Sequence, residues 1–585
     1  MKRFCENAIQ AKGIMDDAVR FVIDHQLKDR KTWKLYIDVF TSRVDSADER
    51  WRGEYFGKQM RGACYAYMYT QDEELYEILT WASEEILKTQ DGYGRISTYT
   101  ADHEFCGWDM WCRKYVLTGL QHYYRICKDA GLKERILAAC CKHLDYIADK
   151  IGTGKIEITS TSMWWGAVNS CTILEPTVEL YKMTGCEKYL DFAKYIISTG
   201  GSSDCNLIEL ALEGSLMPYQ YPVTKAYEMM SFYEGLIAYY EATNEQTYLN
   251  AAEKFFDAVA KSDITIIGCA GCTHELFDNS VVKQTEYSEQ IMQETCVTVT
   301  WIRVLTRMYL LTGDPKYYEW IERAGYNALY GSLNTRQCQQ KELVSGKYFS
   351  AKTFDSYSPL YMNSRGRGIG GFLTFANGEY GGCCVAIGAC GVSLMSMLAV
   401  VCDEASVYVN QQFSGTVTVK DKYGKDVLLE FENQNPVRDA CTITVYGDCD
   451  LNIQIRKPGW CKSMQVIEKT VSGAEYYDAS GHYKAGEKIV YEWERVLEKQ
   501  ELNDKIAFTY GEIVLAADSA KTDADIRLPV SVPDKPEYTV LEPEKGELVR
   551  IECQTNDGIL LLTDYQSCGK NWTQENNVIS VWLNM

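Results

Sequence analysis

Histidine is scarce in this 585-residue chain, at six, and neither a basic cluster nor a long apolar run is present. So few histidines leave little material for histidine-rich metal sites, and His274-Glu275-Leu276-Phe277-Asp278 lacks the second histidine of a zincin helix. Sixty Lys and Arg stand against 81 Asp and Glu, a formal charge of −21, with no Lys/Arg-rich stripe. The electrostatic footprint of nucleic-acid or anionic-membrane binding is therefore missing. The densest apolar stretch, residues 392–401, falls far short of the roughly 20 residues that span a bilayer. Behind Lys2 and Arg3, the charges of Asp16, Asp17, Arg20 and Asp24 interrupt any apolar signal region, so no secretion signal is expected and a cytoplasmic location is. Gly366-Arg-Gly-Ile-Gly370-Gly371 has no preceding strand of the kind a dinucleotide fold needs, which removes nucleotide binding.

What is present describes a folded chain, with 46% hydrophobic and 24% charged residues. At about 100–200 residues per domain, its length allows two to four domains. Cysteine is abundant, at 23. An odd number with no regular spacing does not read as a disulfide framework, so most should be reduced thiols that pack like small apolar side chains.

One phrase returns along the first two-thirds: an aromatic-rich helix end, a short polar turn, then a second helix opening near Tyr-Leu or Tyr-Tyr. It reads AYMYTQDEELYEIL at Ala66, VELYKMTGCEKYLDFA at Val178, AYYEATNEQTYLNAA at Ala238 and RMYLLTGDPKYYEWI at Arg307, with a weaker copy at His122. The turn residues Thr70, Asp129, Thr184, Thr243 and Thr312 are 59, 55, 59 and 69 residues apart, room for two helices each. Five helical hairpins follow, and a sixth from residues 11–26 and 392–401 would close them into an (α/α)6 toroid over residues 1–403. An open superhelix of stacked pairs is the alternative. A closed ring leaves a funnel where inner-helix ends and loops meet, the natural place for a ligand.

From residue 404 to 585 the period changes to two, as in residues 415–420 (Gly-Thr-Val-Thr-Val-Lys) and 442–446 (Thr-Ile-Thr-Val-Tyr). Further alternating segments at 427–431, 451–456, 488–493, 506–515, 548–553 and 578–583 predict an antiparallel β-sandwich region, with room for two small modules.

Two cysteine groupings stand apart from the packing thiols. Glu294-Thr295-Cys296 directly precedes an apolar helix, and Gly381-Gly382-Cys383-Cys384 places adjacent thiols on a glycine hinge. Residues i and i+2 share a direction only in extended chain or at a helix entrance, which is where Glu294 and Cys296 stand. The four side chains could make a tetrahedral zinc site of three thiolates and a carboxylate. Buried packing thiols are the other reading, and the adjacent pair Cys140-Cys141 inside a continuous helix shows how ordinary that is.

The ordered set Trp51-Arg-Gly-Glu-Tyr-Phe-Gly-Lys58, Trp108-Asp-Met-Trp111, Ile173-Leu-Glu-Pro176, Lys225-Ala-Tyr-Glu228, Thr273-His-Glu-Leu-Phe277, Glu294-Thr-Cys296 and Gly382-Cys383-Cys384 resembles glycoside hydrolase family 127. These are the β-L-arabinofuranosidase-like proteins, formerly a domain of unknown function. The resemblance implies an (α/α)6 catalytic barrel followed by β-sandwich modules. It also implies zinc held by Glu294, Cys296, Cys383 and Cys384, with Cys383 as nucleophile and Glu275 as acid/base. On that basis the expected activity is retaining hydrolysis of a terminal β-L-arabinofuranoside or related pentofuranoside.

The sequence departs from the family where relatives often carry histidine, with Arg113-Lys114 and Lys225 in those regions. Cations there would suit an acidic or deoxy sugar; internal salt bridges are the plainer reading. Trp108, Trp111, Trp164, Trp165 and Tyr227 are candidate stacking platforms for a sugar, or simply core. A non-catalytic sugar-binding protein with structural zinc, and a different carbohydrate enzyme on the same toroid, are the remaining rivals. The expected partner is a small glycoside or oligosaccharide, with neither nucleic acid nor membrane, and a homodimer is allowed.

Overall fold

The structure, a computed structural model, describes residues 1–5, 9–45, 50–273, 275–286, 292–336, 339–342, 345–362, 368–375, 377–435, 438–467, 469–470, 475–522, 524–556, 558–570 and 577–585. Six inner helices, Glu54–Thr70, Asp109–Ile126, Leu174–Thr184, Ala226–Thr243, Thr295–Thr312 and Cys383–Met397, pack each on the next, and the sixth packs back on the first. Behind the first five stand Glu73–Lys88, Ala130–Lys150, Glu187–Ser198, Gln246–Ser262 and Pro315–Arg323, and Ile14–Val22 backs the sixth. The ring is closed, so the open superhelix is excluded and the (α/α)6 toroid stands.

Burial separates the two layers. All of Cys383–Met397 is buried, whereas Gln246–Ser262 buries a stripe of Leu249, Ala252, Phe255, Phe256 and Val259 and leaves its other face to solvent. The repeated phrase has a local cause. Gln71, Gly185, Asn244 and Gly313 end their inner helices in left-handed conformation. Asp72, Asp129 and Asp314 then open the next helices by accepting from Leu75 N, Leu132 N and Lys316 N at 2.9, 2.6 and 3.0 Å. Glycine lets the first two inner helices touch: a Cβ on Gly57 would lie 1.7 Å from the Tyr115 carbonyl oxygen.

Beyond the toroid, a seven-stranded sheet built on Gly415–Lys420, Asp426–Asn433, Ala440–Tyr446 and Lys488–Trp493 is joined by a five-stranded sheet containing Val400–Cys402, Val407–Val409 and Ile453–Arg456. Val417, Leu429, Ile443 and Ile453 are buried and continue the toroid's own apolar core. Among the described residues of these two sheets the pairing is antiparallel except between Val407–Val409 and Ile453–Arg456. A nine-stranded sheet follows with a separate core that includes Phe508, Leu515, Ile551 and Leu562. Its segment 506–515, read as one strand, is a hairpin of Lys505–Tyr510 and Ile513–Asp518, turned at Gly511 with φ 62°. The first strands of the chain, Arg3–Phe4 and Ile9–Ala11, pair with Val400–Cys402 and Gly415–Lys420.

Between the fifth and sixth inner helices the chain makes an excursion that periodicity did not announce. Its strands Tyr357–Pro359, Gly368–Ile369, Gln340–Glu342 and Tyr348–Phe349 form a small sheet with Met292–Glu294, the strand just before the fifth inner helix, and a hairpin of Phe372–Thr374 and Tyr380–Gly382 leads into Cys383. The glycine-rich segment 366–371 begins outside the described residues and continues as the strand Gly368–Ile369. Among the described residues, no helix is long and apolar enough to cross a membrane.

Candidate active site and metal centre

Two helix entrances meet at one end of the toroid. Glu294 ends a strand with φ −81° and ψ 130° and caps Thr295–Thr312, which puts Cys296 in that helix's first turn. Gly382 caps Cys383–Met397, so Cys383 and Cys384 begin theirs. The extended-to-helical switch lets Glu294 and Cys296 face the same point, as their spacing required.

The four donor atoms lie within 4.8 Å of one another, and all four residues are buried. Cys383 Sγ is 3.8 Å from Cys384 Sγ, and Glu294 Oε1 is 3.5 Å from Cys384 Sγ and 4.0 Å from Cys383 Sγ. A tetrahedron with zinc–sulfur bonds of about 2.3 Å has edges of about 3.8 Å, so the donor set fits zinc in kind and in size. Glu294 Oε2 is buried without a hydrogen-bond partner, a costly state that a cation would relieve. Both helix N-termini favour negative charge at the sulfurs.

The three sulfurs are not equivalent. Cys296 and Cys384 are 0% exposed and Cys383 is 8% exposed. Gly371 makes that opening: a Cβ there would stand 2.6 Å from Cys383 Sγ. Hydrogen bonds from Cys296 and Cys384, outweighing burial and helped by the ammonium groups of Lys58 and Lys225, hold the Cys383 thiol well below its ordinary range. Burial raises Cys296 and Cys384 instead.

Beneath the cluster lies a buried layer of which sequence reasoning singled out only aromatic side chains, Tyr227 among them, and not the charged pair. Lys58 Nζ is 2.9 Å from Glu54 Oε1 and 3.9 Å from Cys296 Sγ, and it lies 4.5 Å over the Tyr227 ring. Trp111 Nε1 donates to Glu54, and the Tyr115 and Tyr227 hydroxyls share a hydrogen bond. Burial, opposed by Lys58, pushes Glu54 up to about 7. The available signal was the i,i+4 pair Glu54/Lys58 on an inner helix, where charge has no solvent to face.

Glu275 sits at φ 68° on a loop bound to the entrance of Ala226–Thr243, where Ala226 N donates to its carbonyl at 3.0 Å. Lys225 pairs with its Oε2, and the Tyr357 hydroxyl donates to Oε1 at 2.9 Å. Tyr357 is also the strand partner of Glu294, which ties Glu275 to the cluster. Burial alone would lower Lys225, but Glu275, Glu228 and Glu294 raise it.

The other sequence candidates divide. Tyr227 belongs to the layer under the cluster. Trp108 packs edge-on between Trp51 and Trp111, and Trp51 Nε1 donates to the Gly371 carbonyl at 3.4 Å, so this pair borders the opening at Cys383. Arg113 is fully buried, with its guanidinium held by Asp109 and Glu104 at 3.0 and 2.9 Å; it makes the internal salt bridges of the plainer reading. Trp165 is half-buried at φ 53° in the loop before the third inner helix. Cys140 and Cys141 lie within Ala130–Lys150, Cys140 buried and Cys141 partly so. His274 lies outside the described residues.

A family model described as β-L-arabinofuranosidase, GH127 catalytic domain, matches residues 17–341, which take in Glu275, Glu294 and Cys296 but stop before Cys383. The fold is similar to that of a solved GH127 β-arabinofuranosidase, with TM-score 0.74 and 18% identity over 100% of this chain and 98% of that one. It is equally similar to a GH127 β-L-arabinofuranosidase from Geobacillus stearothermophilus T6, with TM-score 0.74 and 16% identity over 98% and 99% of the two chains. No curated protein matches the sequence.

Proposed function

The chain belongs to glycoside hydrolase family 127 and is a glycoside hydrolase, and from that premise we propose that it cleaves a terminal pentofuranoside, with a β-L-arabinofuranoside as the leading substrate, with retention of configuration at the anomeric carbon. The observation that carries this reading is the single accessible sulfur, Cys383, in a cluster of otherwise enclosed ligands.

Glu294, Cys296, Cys383 and Cys384 would hold zinc, which when bound keeps the thiolates deprotonated at neutral pH. Cys383 Sγ attacks the anomeric carbon as the bond to the leaving oxygen breaks, and Glu275 delivers a proton to that oxygen. The sugar is then carried on Cys383 as a thioglycoside. Glu275 next takes a proton from water, whose oxygen attacks the same carbon and releases Cys383. Two inversions give net retention. Lys225, which pairs with Glu275, turns onto a ring hydroxyl when sugar enters and leaves the Glu275 carboxyl to the leaving oxygen. Trp51 and Trp108 would face the sugar at the mouth.

A neutral sugar is favoured over an acidic one by charge. Arg113 is spent on Asp109 and Glu104, and Lys225 is engaged by Glu275 beside Glu228 and Glu294, so a substrate carboxylate would enter a site already crowded with negative groups. We place the enzyme in a reducing compartment, the cytoplasm, because every cysteine among the described residues is a free thiol. The test is a panel of aryl glycosides, including L-arabinofuranosides and uronides, on protein of measured zinc content. Cleavage of the arabinofuranoside supports the reading; stoichiometric zinc with no cleavage of any member leaves a structural zinc and sinks it.

A further inference from the structure

Residues 2–4 stopper the end of the toroid that lies away from the cluster. Glu294 and Gly382 cap the entrances of the fifth and sixth inner helices, whereas Lys2 N donates to the Leu310 carbonyl, in the last turn of the fifth, at 2.7 Å. Lys2 Nζ reaches the Tyr309 hydroxyl at 3.0 Å, and the Phe4 ring stands edge-on to Tyr65 of the first inner helix, with centroids 6.3 Å apart. Phe4 also lines a cavity that it shares with Arg61, His122 and Arg307 of the inner helices. The ladder that holds this stopper is short. It pairs Arg3 with Cys402 and Phe4 with Val401, joining Arg3–Phe4 to Val400–Cys402, the strand that follows the sixth inner helix.

Register brings two thiols together beside it. Residues directly opposite in an antiparallel ladder share a face, and so do residues two apart in extended chain. Arg3 is opposite Cys402, so Cys5, two residues beyond Arg3, comes to the side where Cys402 stands. The Cys5 thiol donates to the Cys402 sulfur, and Cys402 Sγ lies 4.0 Å from the Phe4 carbonyl oxygen. Both cysteines are partly exposed and line an open cleft of about 800 Å³ together with Arg3, Asp403 and Lys420. The hydrogen bond from Cys5, opposed by burial and helped by the Arg3 guanidinium, holds the Cys402 thiol down at about 6, while the same bond and burial raise Cys5. At neutral pH the pair is thus a thiolate open to solvent with a thiol beside it, the arrangement thiol–disulfide exchange needs.

We propose that Cys5 and Cys402 form a reversible disulfide that locks the stopper onto the toroid when the surrounding thiol pool is oxidised. The oxidant is a low-molecular-weight disulfide. The Cys402 thiolate attacks one of its sulfurs, breaking that S–S bond and releasing one small thiolate, which leaves a mixed disulfide on Cys402. Cys5 gives up its proton and attacks the Cys402 sulfur, expelling the second small thiolate. Two electrons pass from the cysteine pair to the small disulfide, which departs as two thiols, one protonated by Cys5 and the other by solvent. In a reducing compartment the pair rests as free thiols. The new bond closes a loop containing nearly the whole toroid and so restricts the unfolded chain, and the expected consequence is a more stable fold under oxidation. The site is at the opposite end of the toroid from the cluster and does not depend on the glycosidase reading.

The experiment equilibrates the full chain, at fixed zinc content, with oxidised and reduced glutathione in varying ratio. The samples are alkylated, digested with chymotrypsin without reduction and read by mass spectrometry, with thermal melts run in parallel. The proposal expects a peptide pair joining the segment that begins at Cys5 to residues 399–408, rising with the ratio and removed by dithiothreitol, and a Tm several degrees higher in the linked protein. Cys5→Ser should stop at a glutathione adduct on Cys402 and show no rise. Should that variant fail to fold, the link and the dithiothreitol-reversible Tm shift of the unaltered protein decide the matter. Absence of the Cys5–Cys402 link at every ratio overturns the proposal. So does a link that leaves Tm unchanged, or an equal Tm rise in a folded Cys5→Ser variant.

Discussion

Gly371 stands where any side chain would press on the Cys383 sulfur, at 2.6 Å from an added Cβ, and its φ of 57° adds a backbone reason for glycine. Gly371→Ala should therefore close the only exposed sulfur of the cluster. Turnover is expected to fall at least tenfold while zinc content stays unchanged, and alkylation of Cys383 by iodoacetamide should slow in parallel. Full activity in the alanine variant would show that substrate reaches the cluster from another side.

The two adjacent thiols should behave differently. Cys383→Ser is expected to abolish turnover with the fold retained, since an alcohol is a far weaker nucleophile at neutral pH. Cys384→Ser removes an enclosed ligand and should show first as lost zinc and a lowered Tm. Zinc analysis, circular dichroism and turnover on both variants check this; equal tolerance of both changes would contradict separate roles.

Glu275→Gln should cost about 10²–10⁴ in turnover of substrates with poor leaving groups, the usual worth of a positioned acid/base, and less for activated aryl glycosides. Tyr357→Phe, which loses the 2.9 Å hydrogen bond to Glu275, should cost about tenfold or less, close to one hydrogen bond. A leaving-group series on both variants tests the pair. An effect on Glu275→Gln independent of the leaving group would take the acid role away from it.

Glu228 gives a pH prediction for stability. Burial, opposed by Lys225, raises its carboxyl from 4.5 to about 7, and Oε2 has no hydrogen-bond partner. Between those values the folded protein holds a proton that the unfolded chain has released. This group's contribution is thus full below 4.5, falls as pH rises, and is lost above about 7. Glu228→Gln should remove that slope and stabilise the protein at pH 8 relative to the unaltered chain by an amount on the order of 1–3 kcal/mol. Denaturant melts of both proteins from pH 5 to 8 measure the difference.

The toroid was legible because its repeat carries a local signal: Asp72, Asp129 and Asp314 cap helices, and Gly185 and Gly313 stop them, all within a few residues of each turn. The switch at Glu294 was legible for the same reason, as a strand end meeting an apolar helix. That Cys383 and Cys384 close on Cys296 came from family resemblance, since no local rule links positions so far apart in sequence. The excursion with Tyr357–Pro359 and Gly368–Ile369 was not legible, because strands of two or three residues carry too short a period to detect. Tyr357 and Gly371, which ride on it, were missed with it. Arg113 looked available for a substrate because sequence does not show that Asp109, four residues earlier on the same helix, and Glu104 both reach it.

The central claim is that the sugar is carried on Cys383, and the most direct measurement is acid quenching during turnover of an aryl β-L-arabinofuranoside, followed by peptide mass spectrometry. The account predicts a pentosyl adduct, about 132 Da, on the peptide containing Cys383-Cys384, absent in Cys383→Ser and more abundant in Glu275→Gln with an activated substrate. Turnover with inversion of configuration, or an adduct on any residue other than Cys383, would contradict it.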